Sequence, residues 1–240
     1  MMNKEEEIKI LFENQKVNFV DSYSRDGKEY GRSLFDTDWI KVVSENPSVI
    51  FDIGCYDGGD SIRFSTSYPE SKVFSFEASP LRQSELKVTS EKYNFTLVGK
   101  AVSDTDGLCR FYDSLVDDER VDAQGSMFKH TDFYKTKYPR IKQKNDFVEI
   151  PCVTIETFCK ENNINSIDLA HIDVEGAEIN VIRGFKNILP KMIFIETLGD
   201  EMFFGGAKSD ELNELLLSMQ YFLAKDLKTD RLYIQKNFKK

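Results

Sequence analysis

Val49-Ile50-Phe51-Asp52-Ile53-Gly54-Cys55-Tyr56-Asp57-Gly58-Gly59-Asp60 decides the fold of this chain. Its first half is a β-branched and aromatic run that stops at a glycine turn, the pattern of a buried parallel strand feeding a loop that opens a helix. The strand is expected over 48–53 and the helix from about Asp60. Gly54 and Gly58 permit a tight turn and the close approach of a ligand, since a Cβ at either position fills space the ligand needs. One strand and one helix later, Lys72-Val73-Phe74-Ser75-Phe76-Glu77 reads as a second strand ending in a carboxylate. In a Rossmann-like sheet that position holds the ribose hydroxyls of a nucleoside.

The dinucleotide fingerprint also places glycines after the first strand and an acid after the second, but its G-x-G-x-x-G spacing is absent. From Asp52 the pattern is Asp-x-Gly-x-x-x-Gly. A carboxylate where the first glycine belongs repels a diphosphate and suits a cationic amino-acid moiety. The loop therefore favours S-adenosylmethionine over NAD, with Asp52, Gly54, Tyr56, Asp57, Gly58, Glu77 and Ala78 as candidate contacts. A glycine-rich βα turn of some other doubly wound protein is the competing reading.

A second constellation runs from Ile167 to Glu178 as Ile-Asp-Leu-Ala-His-Ile-Asp-Val-Glu-Gly-Ala-Glu, followed by Val181-Ile182-Arg183-Gly184-Phe185 and the strand Met192-Ile193-Phe194-Ile195-Glu196. Together with the first motif and Glu77, this resembles the FkbM family of S-adenosylmethionine-dependent methyltransferases over roughly residues 48 to 200. The resemblance implies methylation of hydroxyls on sugars, glycans or natural products. It also implies an α/β, Rossmann-like class I methyltransferase fold: a mostly parallel seven-stranded sheet, helices on both faces and an antiparallel edge hairpin. One position departs from the family's pattern: the residue before Ile-Asp-Val-Glu-Gly, often lysine there, is His171. Gly125-Ser126-Met127-Phe128 is similar to a serine-containing element of the family, which implies a place for Ser126 at the cofactor or acceptor.

Length and composition agree with one such domain. The 240 residues, 40% hydrophobic, suffice for one extensive core and give little reason to split into two. The expected organisation is an N-terminal helical extension over 1–45 and a methyltransferase domain over 46–240. A net charge of -9 and a pI near 5.0 disfavour nucleic acid as a partner. The start Met-Met-Asn-Lys-Glu-Glu-Glu has no apolar targeting core, and no run is long enough to span a bilayer. A soluble, cytoplasmic protein without membrane contact is expected. Cys55, Cys109, Cys152 and Cys159 form no C-x-x-C pair and, with only two histidines, make a poor zinc set. Reduced core thiols are expected, Cys55 as a small residue filling the glycine turn.

Along the chain, Lys4 to Gln15 is an amphipathic helix with Ile8, Leu11 and Phe12 on one face. Residues 20–33 read as a loop, and 37–43 as a helix against the sheet edge. Tyr30, Arg32 and Trp39 are either packing residues or part of the site wall. Ser79-Pro80 opens a helix, and Phe95 to Val102 is a third strand whose end, Ser103-Asp104, lies beside the adenine in this class. A turn role explains the same two residues equally well. Two paired strands, 108–112 and 147–153, flank a long charged loop or cap over 113–146. Its basic second half interleaves Phe128, Phe133, Tyr134 and Tyr138 with cations, suited to a small-molecule or glycan acceptor, although a solvated, partly helical cap has the same composition. Thr154 and Ser209 are expected N-caps of the helices that follow them. Met202-Phe203-Phe204-Gly205-Gly206 reads equally as a loop that closes over the site or as a packed surface loop.

The sulfonium already carries an activated methyl group, so the protein must align an acceptor oxygen, exclude water and accept a proton. Ligands bind outside the carboxyl ends of the strands, where Asp173 and Glu196 end neighbouring strands. Asp173 is the leading candidate for base or acceptor-orienting group and also a cofactor contact. Glu196 and Glu175 support it, and His171 competes as base. No metal is assigned: three carboxylates can chelate Mg²⁺ with a vicinal diol, but all-oxygen cages leave little trace in sequence, so a divalent metal is the less favoured reading. N-methylation of a protein or amino sugar, and a noncatalytic module that binds cofactor or glycan, are the alternatives to O-methylation.

Overall fold

A computed structural model describes residues 3–14, 23–25, 27–31, 33–117, 120–197 and 201–239 of the chain. Seven strands form the central sheet: β1 Val49–Ile53, β2 Lys72–Phe76, β3 Thr96–Val98, β4 Leu169–Ile172, β5 Met192–Glu196, β6 Tyr221–Asp226 and β7 Asp230–Gln235. Their order across the sheet is β6-β7-β5-β4-β1-β2-β3. The strands β3, β2, β1, β4 and β5 run parallel, and β7 pairs antiparallel with β5 and β6. The chain thus starts in the middle, builds outward to β3 and returns to the other side of β1. The reversal leaves a crevice at the carboxyl ends of β1 and β4. This is a Rossmann-like class I methyltransferase fold.

Alternation along the strands sends apolar side chains to both faces. On one face Phe51, Ile53, Phe76, Ile172 and Ile195 pack under the helices Ile155–Glu161, Glu178–Phe185 and Ser209–Ser218. On the other, Ile50, Leu169, Met192 and Phe194 lie under Phe12 of the helix Lys4–Asn14, Trp39, and Phe64 of the helix Gly59–Ser67. Burying each such large side chain contributes about 1.5–3 kcal/mol, so both faces are well held. Thr154 caps the helix after it, accepting from the Thr157 amide at 3.1 Å. No helix among the described residues is long and apolar enough to cross a membrane.

Several elements differ from the sequence-based expectation. The third strand breaks at Gly99-Lys100: Thr96–Val98 stays in the central sheet, while Ala101–Val102 leaves it to pair in parallel with Val148–Val153. Val148–Val153 also pairs antiparallel with Gly107–Phe111, giving a separate three-stranded sheet. Part of the expected loop over 20–33 is a hairpin, Tyr23–Arg25 with Lys28–Tyr30, turning at Gly27; residues 20–22, Asp26 and Arg32 lie outside the described residues. The segment Thr37–Val42 is a 3-10 helix on the face of the sheet rather than its edge, with Trp39 against Phe194 of the interior strand β5. Trp39 and Tyr30 are core residues and do not line the cavity described below. The 113–146 connection is folded: Ser114–Val116, Arg120–Val121 and Ile141–Gln143 form a small sheet beside the helix Asp132–Lys137. Ser209 is the first residue of its helix, the cap position being Lys208.

Candidate active site

A cavity opens at the carboxyl ends of β1, β2 and β4. Gly54 and Tyr56 line it from the loop after β1, Glu77, Ala78 and Ser79 from the loop after β2, and Asp173 from the loop after β4. Glu77 sits at its centre of polarity. The Tyr56 and Ser79 amides donate to its two carboxylate oxygens at 2.9 and 2.7 Å. Burial nevertheless outweighs these bonds and pushes the carboxyl up to about 7. Tyr56, at φ 46°, lies with its ring 4.1 Å from the Arg82 guanidinium.

The two loop glycines keep space clear for the protein rather than for a ligand. A Cβ on Gly54 would stand 1.7 Å from the Asp173 carbonyl oxygen, because the ends of β1 and β4 converge there. On Gly58 it would meet Leu86 at 3.2 Å and Phe95 at 3.4 Å. Both glycines have positive φ, so a side chain would also be strained. Cys55 is buried beside them, and burial holds its thiol well above the ordinary range.

Asp52 and Asp57 do not line the cavity. Asp57 accepts from the Gly59 and Gly31 amides at 2.8 and 3.2 Å, tying the helix start to the hairpin. Asp52 points to the opposite face of β1, fully buried, where it accepts from the Ser61 hydroxyl and from His171 Nδ1 at 3.0 Å. His171 Nε2 lies 3.8 Å from Asp60, and its ring stacks on Phe194 at 5.5 Å. Burial opposes charging this imidazole, but Asp60, Asp52 and Asp173 together outweigh burial and raise it to about 9. The neighbouring acids thus favour the charged form of His171, whose Nδ1 is engaged with Asp52. It supplies the charge that a lysine would supply at that position.

Asp173, Glu175 and Glu196 come together: one carboxylate oxygen of each lies within 4.8 Å of the others. Asp173 lies open to solvent at the cavity, beside Glu196 and His171. Burial and neighbouring acids hold Glu175 and Glu196 well above the carboxylate range. Glu175 stands at φ 55°, with its carbonyl accepting from Ser126 Oγ at 2.6 Å. Ser126 is fully buried and also accepts from the Phe128 amide at 2.9 Å. Its hydroxyl is thus committed to the loop, not to a ligand. Glu178 opens the helix Glu178–Phe185 and accepts from the Gly176 amide at 3.0 Å.

Ser103 and Asp104 stay outside the cavity lining. Asp104 takes the Ser103 hydroxyl at 3.2 Å and faces Asn180 at 3.4 Å, so Lys100, Ala101 and Val102 form that stretch of wall instead. The sequence reading missed Arg82, Asp122 and Met127, which also line the cavity. Arg82 has a signal in retrospect: it falls in the first turn of the helix opened by Pro80, facing the crevice. Asp122 and Met127 belong to the folded cap, and local sequence gives no sign that the cap returns to the sheet. In the described part of the loop after β5, Phe203 is buried, Phe204 is exposed and Gly206 leaves no room for a Cβ against Phe203.

Residues 52–223 match the family model of the methyltransferase FkbM domain. The chain is 30% identical over 161 residues to the 2-O-methyltransferase NoeI of Sinorhizobium fredii (strain NBRC 101917 / NGR234), covering 66% of this chain and 65% of NoeI. It therefore spans just under two thirds of that relative's length. Among solved structures, methyltransferase FkbM of Methylobacillus flagellatus KT aligns at 13% identity and a TM-score of 0.46, over 79% of this chain and 44% of that one. The precorrin-6y C5,15-methyltransferase of Geobacter metallireducens GS-15 aligns at 12% identity and a TM-score of 0.46, over 82% and 86%. Those two likenesses are too distant to speak for an acceptor. With the family model matched over well more than half of its length, the chain belongs to the FkbM family of methyltransferases.

Proposed function

We propose that this chain transfers the methyl group of S-adenosylmethionine to a hydroxyl of a sugar, glycan or glycosylated metabolite. One observation carries the reading: Asp173 lines the cavity that Glu77 polarises and also belongs to the carboxylate cluster with Glu175 and Glu196. A ligand in the cavity and an acceptor at the cluster would meet at that residue. The relative NoeI, a 2-O-methyltransferase, supports oxygen as the receiving atom.

The cavity suits the cofactor. The Glu77 carboxylate, ionised, accepts from ribose hydroxyls in place of the water that burial removes. Asp122 lines the cavity with a buried carboxylate oxygen that has no hydrogen-bond partner among the described residues, a match for a cationic methionine end. When bound, the cofactor supplies the electrophilic methyl group. The protein then positions the acceptor oxygen in line with the S–CH3 bond. The hydroxyl proton released on transfer would pass to a carboxylate oxygen of Asp173, which lies at the cavity.

The test is transfer from methyl-labelled S-adenosylmethionine to saccharide, small-molecule and protein fractions, with Asp173→Asn as control. Alkali-stable label in saccharides that falls at least about a hundredfold in the variant is the expected outcome. Label confined to protein would overturn the choice of acceptor.

A further inference from the structure

Asp173, Glu175 and Glu196 bring three acidic side chains to one point. Each offers a carboxylate oxygen within 4.8 Å of the other two. The charged groups acting on Glu175 and Glu196 are themselves acidic: Asp173, Glu178, Asp122 and Asp230. His171, a cation that acts on Asp173, pairs with Asp52 at 3.0 Å and lies 3.8 Å from Asp60.

A second observation is independent of the count of acids. Glu175 is 96% buried, being 4% exposed, and its Oε2 has no hydrogen-bond partner among the described residues; Glu196 Oε2 is likewise unpartnered. Buried carboxylate oxygens are normally satisfied, and leaving one unmade costs on the order of 1–3 kcal/mol. The backbone sustains this placement at further cost, since Glu175 stands at φ 55°, a region a non-glycine residue seldom adopts. Ser126 Oγ pins the carbonyl of that residue at 2.6 Å. The molecule therefore holds an orphaned acceptor beside two other acidic side chains, and a cation at that point would satisfy it.

We propose that Asp173, Glu175 and Glu196 bind one divalent, oxygen-preferring cation of the Mg²⁺, Mn²⁺ or Ca²⁺ class beside the cavity, and that the cation receives two neighbouring oxygens of the acceptor. An all-oxygen donor set selects hard cations. Oxygens within 4.8 Å of one another can close on one cation at roughly 2.0–2.6 Å with a small contraction of the side chains, larger for Mg²⁺ than for Ca²⁺. Three protein oxygens leave positions open for a vicinal diol, which narrows the acceptor of the proposed methyl transfer, on which this inference rests. The second oxygen of each carboxylate remains available for the hydroxyl proton.

Cation binding is tested without any acceptor. The full chain, freed of metal with chelator, is titrated with Mn²⁺ while electron paramagnetic resonance follows the free ion. One Mn²⁺ per chain is expected, displaced by excess Mg²⁺ or Ca²⁺, with at least about tenfold weaker binding in Glu175→Gln and in Glu196→Gln. Each substitution removes a repelling charge, so the metal-free variants should unfold at temperatures equal to or above the wild type while losing the rise that Mn²⁺ gives. S-adenosylhomocysteine affinity, measured by calorimetry, should change less than about twofold. No stoichiometric Mn²⁺ on the wild type up to about 1 mM overturns the site, as does Mn²⁺ binding untouched by both substitutions. Failure of the wild type to bind S-adenosylhomocysteine would instead count against the proposed function and leave the Mn²⁺ result standing.

Discussion

His171 illustrates how a residue's partners decide its role. As an imidazole two residues from Asp173 it reads as a base, yet Asp52 at 3.0 Å and Asp60 at 3.8 Å keep it protonated to about pH 9. Removing one partner of a buried pair leaves an uncompensated charge and costs about 3–5 kcal/mol. His171→Leu should lose stability of that order in urea unfolding, whereas His171→Lys, which keeps a cation there, should lose less than about half as much. Equal losses would show that shape, not charge, is required. Glu77 makes the opposite case, a carboxylate whose ordinary state is disturbed by burial. Hydrogen bonds to a charged group contribute about 1.5–3 kcal/mol, so Glu77→Gln should weaken cofactor binding by about ten- to a hundredfold. Ribose hydroxyls favour the ionised form, and the free carboxyl titrates near 7. Wild-type affinity should therefore tighten by up to about tenfold between pH 6 and 8. Calorimetry at the two pH values checks this, and Glu77→Gln should flatten the dependence.

At the scale of elements, the cap and the loop after β5 act as one packed body over the cluster. His130 stacks on Tyr134 at 3.8 Å, the Thr131 amide donates to the Met202 carbonyl at 3.1 Å, and Phe203 closes onto His130 at 5.3 Å. The cap also grips the nucleotide side, where Arg82 donates to the Val121 carbonyl at 2.6 Å. Ser126 is the link from this body to Glu175. Ser126→Ala should cost about 1 kcal/mol of stability and slow methyl transfer several-fold at saturating cofactor, with cofactor affinity unchanged. A loss of cofactor affinity instead would mean that the cap organises the nucleotide half. The central sheet was legible in sequence because its inner strands are mostly apolar runs ending at an acid or glycine, as in β5 and, Asp52 and His171 apart, in β1 and β4. The hairpin at Gly27, the departure of Ala101–Val102 and the cap sheet were not, since short, half-exposed strands carry no period strong enough to reveal their partners. The cluster of Asp173, Glu175 and Glu196 was legible from strand ends. The orientation of Asp52 away from the cavity was not, because a strand's facing depends on what covers each side.

At the scale of the molecule, buried acids set how stability depends on pH. Glu77 and Glu178 are 7% and 2% exposed, and burial raises both carboxyls to about 7 from an unfolded value near 4.5. The folded state thus binds more protons than the unfolded one between those values, so stability falls as pH rises through that window. The contribution is fully present below about 4.5 and lost above about 7, worth at most about 3 kcal/mol for each group at 1.36 kcal/mol per unit. Lowered carboxyls such as Glu85 and Asp106 act in the reverse sense, but only below the ordinary carboxylate range. The net charge of -9 adds self-repulsion at higher pH. Free of ligand and with chelator present, the protein should unfold roughly 5–10 °C higher at pH 5.5 than at pH 8 by scanning calorimetry. Glu77→Gln should reduce that difference by removing one titrating group. A midpoint that climbs with pH would mean that these acids are already ionised in the folded chain, so that partners other than the backbone amides hold them.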